Sequence, residues 1–198
     1  MIGPLPRRAT AADVGDVTAV IATAFHELEP GGWLVPDDRE REKVFIEYFR
    51  IWVEHAERYG EIYTIDDGTA VAVWFPATGD PAPPPPDYEE RLEAICGEHS
   101  DRFRIFDQLM DEHHPHQPHD YLAFLACLPA YQGTGLGSTL LRHRHRTLDE
   151  RGIPAYLEAS RARSRDLYLR HGYQPHGESY RLPDGPPLWP MWREPQPL

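Results

Sequence analysis

The chain has 198 residues, a length that suits one domain with a sizeable core and falls short of two. Apolar residues make up 40% and aromatics 11%, with charges interspersed rather than blocked, which excludes global disorder. A net charge of −12 disfavours nucleic-acid phosphates and anionic membrane surfaces and favours a cationic partner, although acidity also serves solubility alone.

In chain order, Thr10 and Asp13 form a capping-box pattern that opens a first helix, from about Ala11 to Phe25. The sequence before it has no apolar h-region, and no stretch approaches the roughly 18 apolar residues of a membrane span, so a soluble, unprocessed, cytoplasmic chain is expected. HELEPGGWLVPDD then breaks regular structure at its prolines and glycines and is expected to be a substrate-side loop in which Trp33 needs cover. From about Arg39 to Tyr59 a stripe of Phe45, Tyr48, Phe49, Trp52, Ala56 and Tyr59 predicts an amphipathic helix, read as core packing rather than a ligand box.

EIYTI and TAVAVWF, separated by Asp66, Asp67 and Gly68, predict an antiparallel hairpin. The proline-rich run from Pro76 to Pro86 predicts a stiff extended connection. Two short helices follow between about Tyr88 and Glu112, an expected helical insertion near 87–113. HHPHQPH, with His113, His114, His116 and His119, lacks regular ligand spacing and predicts a solvated loop with no metal. Cys96 and Cys127 lie far apart, which fits neither a disulfide framework nor zinc.

YLAFLACLP, from Tyr121 to Pro129, is apolar on both faces and predicts a central strand. A helix from Gly135 or Leu136 to about Arg151 follows, stopped by Gly152, with RHRHR (142–146) as a solvated face. A short strand at Ala155 to Ala159, a helix from about Arg163 to His171, and strands near Gln174 to Arg181 and Leu188 to Arg193 complete the chain.

QGTGLG, Gln132 to Gly137, sits between the central strand and a helix start. Unpaired N–H groups and glycines without Cβ make such a junction an anion cradle, although a ligand-free glycine turn reads equally well from six residues. Ser138 stands where a dinucleotide fingerprint needs glycine, and no Walker A lysine follows.

With YLEAS (156–160), LYLRHGY (167–173) and PLWPMWR (187–193) downstream, the segment resembles the acyl-CoA loop of the GNAT acetyltransferase superfamily. Within that superfamily the chain is similar to puromycin-type and related actinobacterial enzymes. The resemblance implies an α/β (α+β) fold spanning 1–198 as a single acyl-CoA N-acyltransferase domain. Its mixed, twisted sheet of six or seven strands would be splayed between Tyr121–Leu128 and Ala155–Ala159. It further implies acetyl-CoA as donor, no metal, a small amine as acceptor, no nucleic acid or membrane partner, and a monomer or homodimer.

Cofactor contacts carried over by the resemblance are Leu125, Ala126 and Cys127 on the splayed strand, Gln132, Gly133, Thr134, Gly135, Leu136, Gly137 and Ser138 in the loop, and Ser164 downstream. Arg161 stands where the family commonly has asparagine, so the usual hydrogen bonds of that turn are in doubt. Tyr168 occupies the place of the residue that protonates the departing thiolate; a core tyrosine is the other reading. Glu158, at the end of its strand, is either base or orienting group for the amine, with Glu27 and Glu54 as alternatives. A protein lysine or N-terminus as acceptor, and a non-catalytic acyl-CoA sensor, remain competing readings.

Overall fold

The computed structural model describes residues 5–65, 68–79 and 82–197. Its strands are β1 (Pro6–Arg8), β2 (Glu61–Ile65), β3 (Ala70–Ala77), β4 (His119–Cys127), β5 (Ala155–Ala159), β6 (Gln174–Pro175), β7 (Tyr180–Arg181) and β8 (Pro187–Arg193). They form one mixed sheet in the order β1-β2-β3-β4-β5-β8-β6, with the two-residue β7 also on β8. The helices are α1 (Val14–His26), α2 (Glu29–Leu34), α3 (Asp38–Tyr59), α4 (Tyr88–Cys96), α5 (Ser100–His113), α6 (Leu136–Arg151) and α7 (Ala162–Arg170).

Alternation along the strands sorts the helices into two layers. Ile62, Val71, Val73 and Ala126 pack against residues of α1, α3, α4 and α5. Ala70, Ala72, Trp74, Leu122 and Leu157 pack with Leu140, Leu141 and Leu148 of α6 and Tyr168 of α7. A slip in the β3–β4 register, Val73 opposite Phe124 and Trp74 opposite Leu122, leaves Ala123 as a bulge. The extra residue sends Phe124 to the α1/α3 layer and Leu122 to the α6 layer.

Among the described residues β4 and β5 are the one parallel pair, and they share only two register positions, Asp120 with Ala155 and Tyr121 with Tyr156. Beyond them β4 runs on to Cys127 and β5 to Ala159 without a common ladder, so the expected splay is present. A buried cation braces the closed end: Arg144 donates to Asp120 at 2.8 and 3.0 Å and meets Glu61 at 2.8 Å. Arg144 is 2% exposed and His145 5%, which overturns the expectation of a solvated 142–146 face. The helix lies on the sheet, so part of any five-residue run must face inward; here the cation is paired, and His145 contacts the Tyr173 hydroxyl at 3.0 Å.

Two further expectations change. The segment after α1 folds as the short helix α2, because Pro30 sits in its first turn where no intrahelical N–H is lost. Trp33 turns away to donate to the Pro183 carbonyl at 2.8 Å. The histidine segment is solvated only in its middle: His116, Gln117 and Pro118 are exposed, whereas His119 is fully buried in β4, and His114 lies 3.1 Å from it, Nε2 to Nε2. Asp66 and Asp67 of the expected turn, and Asp80 and Pro81 of the proline run, lie outside the described residues, although β2 and β3 pair antiparallel as a hairpin must.

Candidate functional site

The splay opens a single cavity of about 780 Å³ that reaches both helical layers. One part of its wall is the 131–138 loop, the far half of β4 and the segment Ser160 to Arg170; the other is built from α1, α2, α3, α5 and the proline run.

At the loop, Gly133 and Gly135 have φ of +81° and +95°, a region that side chains with Cβ rarely enter. Gly135 caps α6, and among the described residues the amides of Gly135, Leu136, Gly137 and Ser138 donate to no backbone carbonyl. Four converging N–H groups at a helix start suit a pyrophosphate. A Cβ on Gly137 would meet Leu125 and Leu167 at 3.6 and 3.7 Å, so the bare backbone there is closely walled.

Gln132 ties this loop to β4, its amide donating to the Cys127 carbonyl at 3.2 Å. That bond occupies the Cys127 carbonyl; among the described residues β4 otherwise has no ladder partner on its β5 side beyond Tyr121. Arg161 reaches Ser164 at 3.2 Å and Gln132 at 3.5 Å, in the turn where the family commonly has asparagine. Leu125, Ala126, Cys127, Gln132, Gly133, Gly135, Leu136, Gly137, Ser138 and Ser164 all border the cavity. Thr134 does not: it is exposed and its hydroxyl bonds back to the Tyr131 carbonyl at 2.6 Å.

Tyr168 reaches the wall from α7, its ring edge-on to Tyr173 at 5.7 Å. Burial drives its pKa well above the usual phenol value, and among the described residues its hydroxyl has no hydrogen-bond partner. It is therefore a protonated donor with nothing yet to donate to.

Glu158 borders the same cavity from β5. Both carboxylate oxygens are buried and lack a partner in hydrogen-bond geometry. Burial pushes the pKa up to about 7, opposed by the nearby hydroxyls of Tyr156 and Tyr121. A buried carboxylate without a partner is costly, and an ammonium or bridging water would satisfy it. Glu27 and Glu54 are not on the wall; Glu54 is engaged by Arg91 at 3.0 Å.

The far chamber is aromatic. Phe45, Tyr48, Phe49 and Trp52 of the α3 stripe line it together with Phe25 and Tyr88. The stripe is thus core on one side and ligand wall on the other, and reading it as core alone missed half of its role. Asp107 and His114 also border the chamber, and neither had been singled out as a site residue. His114, pushed down to about 4 by burial and by His119, is neutral at physiological pH. Among the described residues the arginines on the wall are Arg161, Arg163 and Arg170, all on α7 or at its start, whereas the chamber's charged groups are carboxylates.

The profile of the acetyltransferase (GNAT) family matches residues 22–173. The histone acetyltransferase HPA2 and related acetyltransferase of Corynebacterium glutamicum is 28% identical, with a TM-score of 0.68 over 98% of this chain and 97% of its own. Arylalkylamine N-acetyltransferase 2 of Aedes aegypti shares the fold at 14% identity and TM-score 0.61, covering 98% and 100%. So does the paia N-acetyltransferase of Thermoplasma acidophilum, in complex with coenzyme A, at 12% and 0.59, covering 98% and 99%.

Proposed function

This chain belongs to the acetyltransferase (GNAT) family and is an acetyl-CoA-dependent N-acetyltransferase, and we propose that it acetylates a small cationic amine by direct attack on the thioester. One observation carries the proposal: a single cavity joins a glycine-and-arginine end suited to an anionic donor with an aromatic chamber carrying carboxylates. Like charges are thereby segregated along one cleft, which orients two oppositely charged reactants toward the splay.

In this reading the amides of Gly135 to Ser138 hold the pyrophosphate, and the arginines at the start of α7 meet the remaining phosphate. β4 accompanies the pantetheine arm into the splay. Glu158 holds the acceptor ammonium and takes its first proton, directly or through water, and passes it to solvent; the amine nitrogen then forms its bond to the acyl carbon, and as the carbon–sulfur bond breaks the nitrogen gives its second proton to the same carboxylate or water. Tyr168 gives its hydroxyl proton to the departing sulfur and is reprotonated from solvent.

The whole chain acts as one acyl-CoA N-acyltransferase domain, the helices near 87–113 being an insertion that contributes Asp107 to the chamber. Antibiotic or aminonucleoside-like amines are the class to try first, and the buried aromatic wall argues for a small molecule over a peptide. Free-thiol release from acetyl-CoA across a panel of amines and lysine peptides tests the proposal. Turnover with small aromatic amines is expected; turnover confined to peptides, or acetyl-CoA binding without turnover, would overturn it.

A further inference from the structure

Asp107 stands on α5 at the wall of the aromatic chamber, apart from the groups that handle the thioester. Its Oδ2 accepts the Tyr88 hydroxyl at 2.6 Å, and no hydrogen bond to Oδ1 occurs among the described residues. Tyr88 bonds it directly, and Asp107 is near enough to the buried Tyr48 hydroxyl to act on it electrostatically. Among the described residues no arginine or lysine of the cavity wall comes from α3, α4 or α5, and the charges of Asp111 and Glu89 repel it. Burial is the main effect and holds its pKa up to about 6, with the Tyr88 bond opposing.

A carboxylate on the cavity wall with one oxygen held by Tyr88 and the other making no protein hydrogen bond among the described residues offers an acceptor to a cationic donor, and a charge-assisted hydrogen bond there is stronger than a neutral one. Glu158, at the splay, serves the amine that reacts. Asp107 comes from a different element and has its own hydroxyl partner, so it addresses a second group of the same ligand. The aromatic walls between them bind a planar, apolar body.

We propose that Asp107 is a specificity-determining residue that binds a second ammonium of the acceptor, so that the preferred substrate is an aromatic diamine rather than a simple monoamine. This rests on the acetyl-transfer reading above. The amine near Glu158 is acetylated, and the distal ammonium stays on Asp107 unreacted. Tyr88 fixes the carboxylate so that Oδ1 faces the ligand.

The test compares 2-phenylethylamine with its 4-aminomethyl derivative, which differs by one ammonium-bearing arm, on the intact chain. Wild type is expected to show a KM for the diamine roughly 10- to 100-fold below that for the monoamine, the range of a hydrogen bond to a charged group. Asp107→Asn, which keeps the shape and the Tyr88 contact, should abolish that ratio by raising the diamine KM at least about tenfold more than the monoamine KM. Equal KM values in wild type, or an equal loss on both amines in Asp107→Asn, would overturn the proposal and make Asp107 structural. The amine-induced rise in Tm with CoA present is read in parallel. If no amine is turned over, the transfer reading fails by itself, and a diamine-specific rise that vanishes in Asp107→Asn still supports the anchor, whereas its absence refutes it.

Discussion

Tyr168→Phe removes one oxygen from a side chain that is 7% exposed, and nothing else. Among the described residues that oxygen makes no hydrogen bond, so folding stability should shift by less than about 1 kcal/mol. Burial keeps the phenol protonated across the whole working range, so the loss is that of a proton donor and not of an anion. General acid catalysis is typically worth about 100-fold or more, close to 2.7 kcal/mol of barrier. Turnover at saturating substrates, followed by free-thiol release, should therefore fall about 100-fold with the acetyl-CoA KM changed less than about threefold. A fall in turnover below about threefold, or a large rise in KM alone, would refute the argument and return Tyr168 to the core with Tyr173.

Gly137→Val should raise the acetyl-CoA KM by about tenfold or more with the fold intact, because its backbone is α-helical and its Cβ contacts are ordinary, while the bulk fills the cavity wall between Leu125 and Leu167 beside the cradle; tight CoA binding by titration calorimetry would refute the placement. Gly135→Val should do the same and also lose about 1–2 kcal/mol in urea unfolding, since its φ of +95° disfavours a branched residue. Asp120→Ala should cost about 3–5 kcal/mol, because it leaves the buried Arg144 with Glu61 alone where β4 and β5 meet; a loss under about 1 kcal/mol would show that the ion pair is not the brace.

The parts of the site legible in the sequence are those whose chemistry is local. A strand apolar on both faces, glycines that adopt positive φ and a helix start follow one another within 119–138, and the structure keeps them adjacent. Tyr168 and Glu158 were found through motif context, and the fold brings both to one cavity. Arg144 and Asp120 were not legible as a pair: they are 24 residues apart, and only the packing of α6 on β4 joins them. Asp107 was not legible as a site residue, because nothing in its neighbours predicts that Tyr88, 19 residues away, turns in to bond it. His114 and His119 were misread because the two prolines between them suggested a solvated loop, whereas the burial of His119 in β4 draws the pair inward.

Glu158→Gln separates a catalytic carboxylate from a structural one because the two readings predict opposite signs for stability. Burial raises the folded-state pKa from the ordinary 4.5 to about 7, so between those values the folded chain holds a proton that the unfolded chain has released. Stability associated with the neutral acid is fully present below pH 4.5 and is lost as pH rises through 7. The loss is on the order of 3 kcal/mol if the shift is carried over whole, at 1.36 kcal/mol for each pKa step. Glutamine stays neutral, so at pH 8 the variant should be more stable than wild type by up to about that amount and equal to it at pH 4, measured by urea unfolding. Its activity should fall together with that gain. Wild-type kcat/KM should rise with pH through an apparent pKa near 7 as Glu158 ionises, and the variant should lose both the rate and that limb of the profile. A site that gives up stability to keep a charge ready for the substrate shows this pairing. If instead Glu158→Gln destabilises the chain at pH 8 and leaves the profile unchanged, the carboxylate is serving Tyr121 and Tyr156, and the proton leaves the amine by another route.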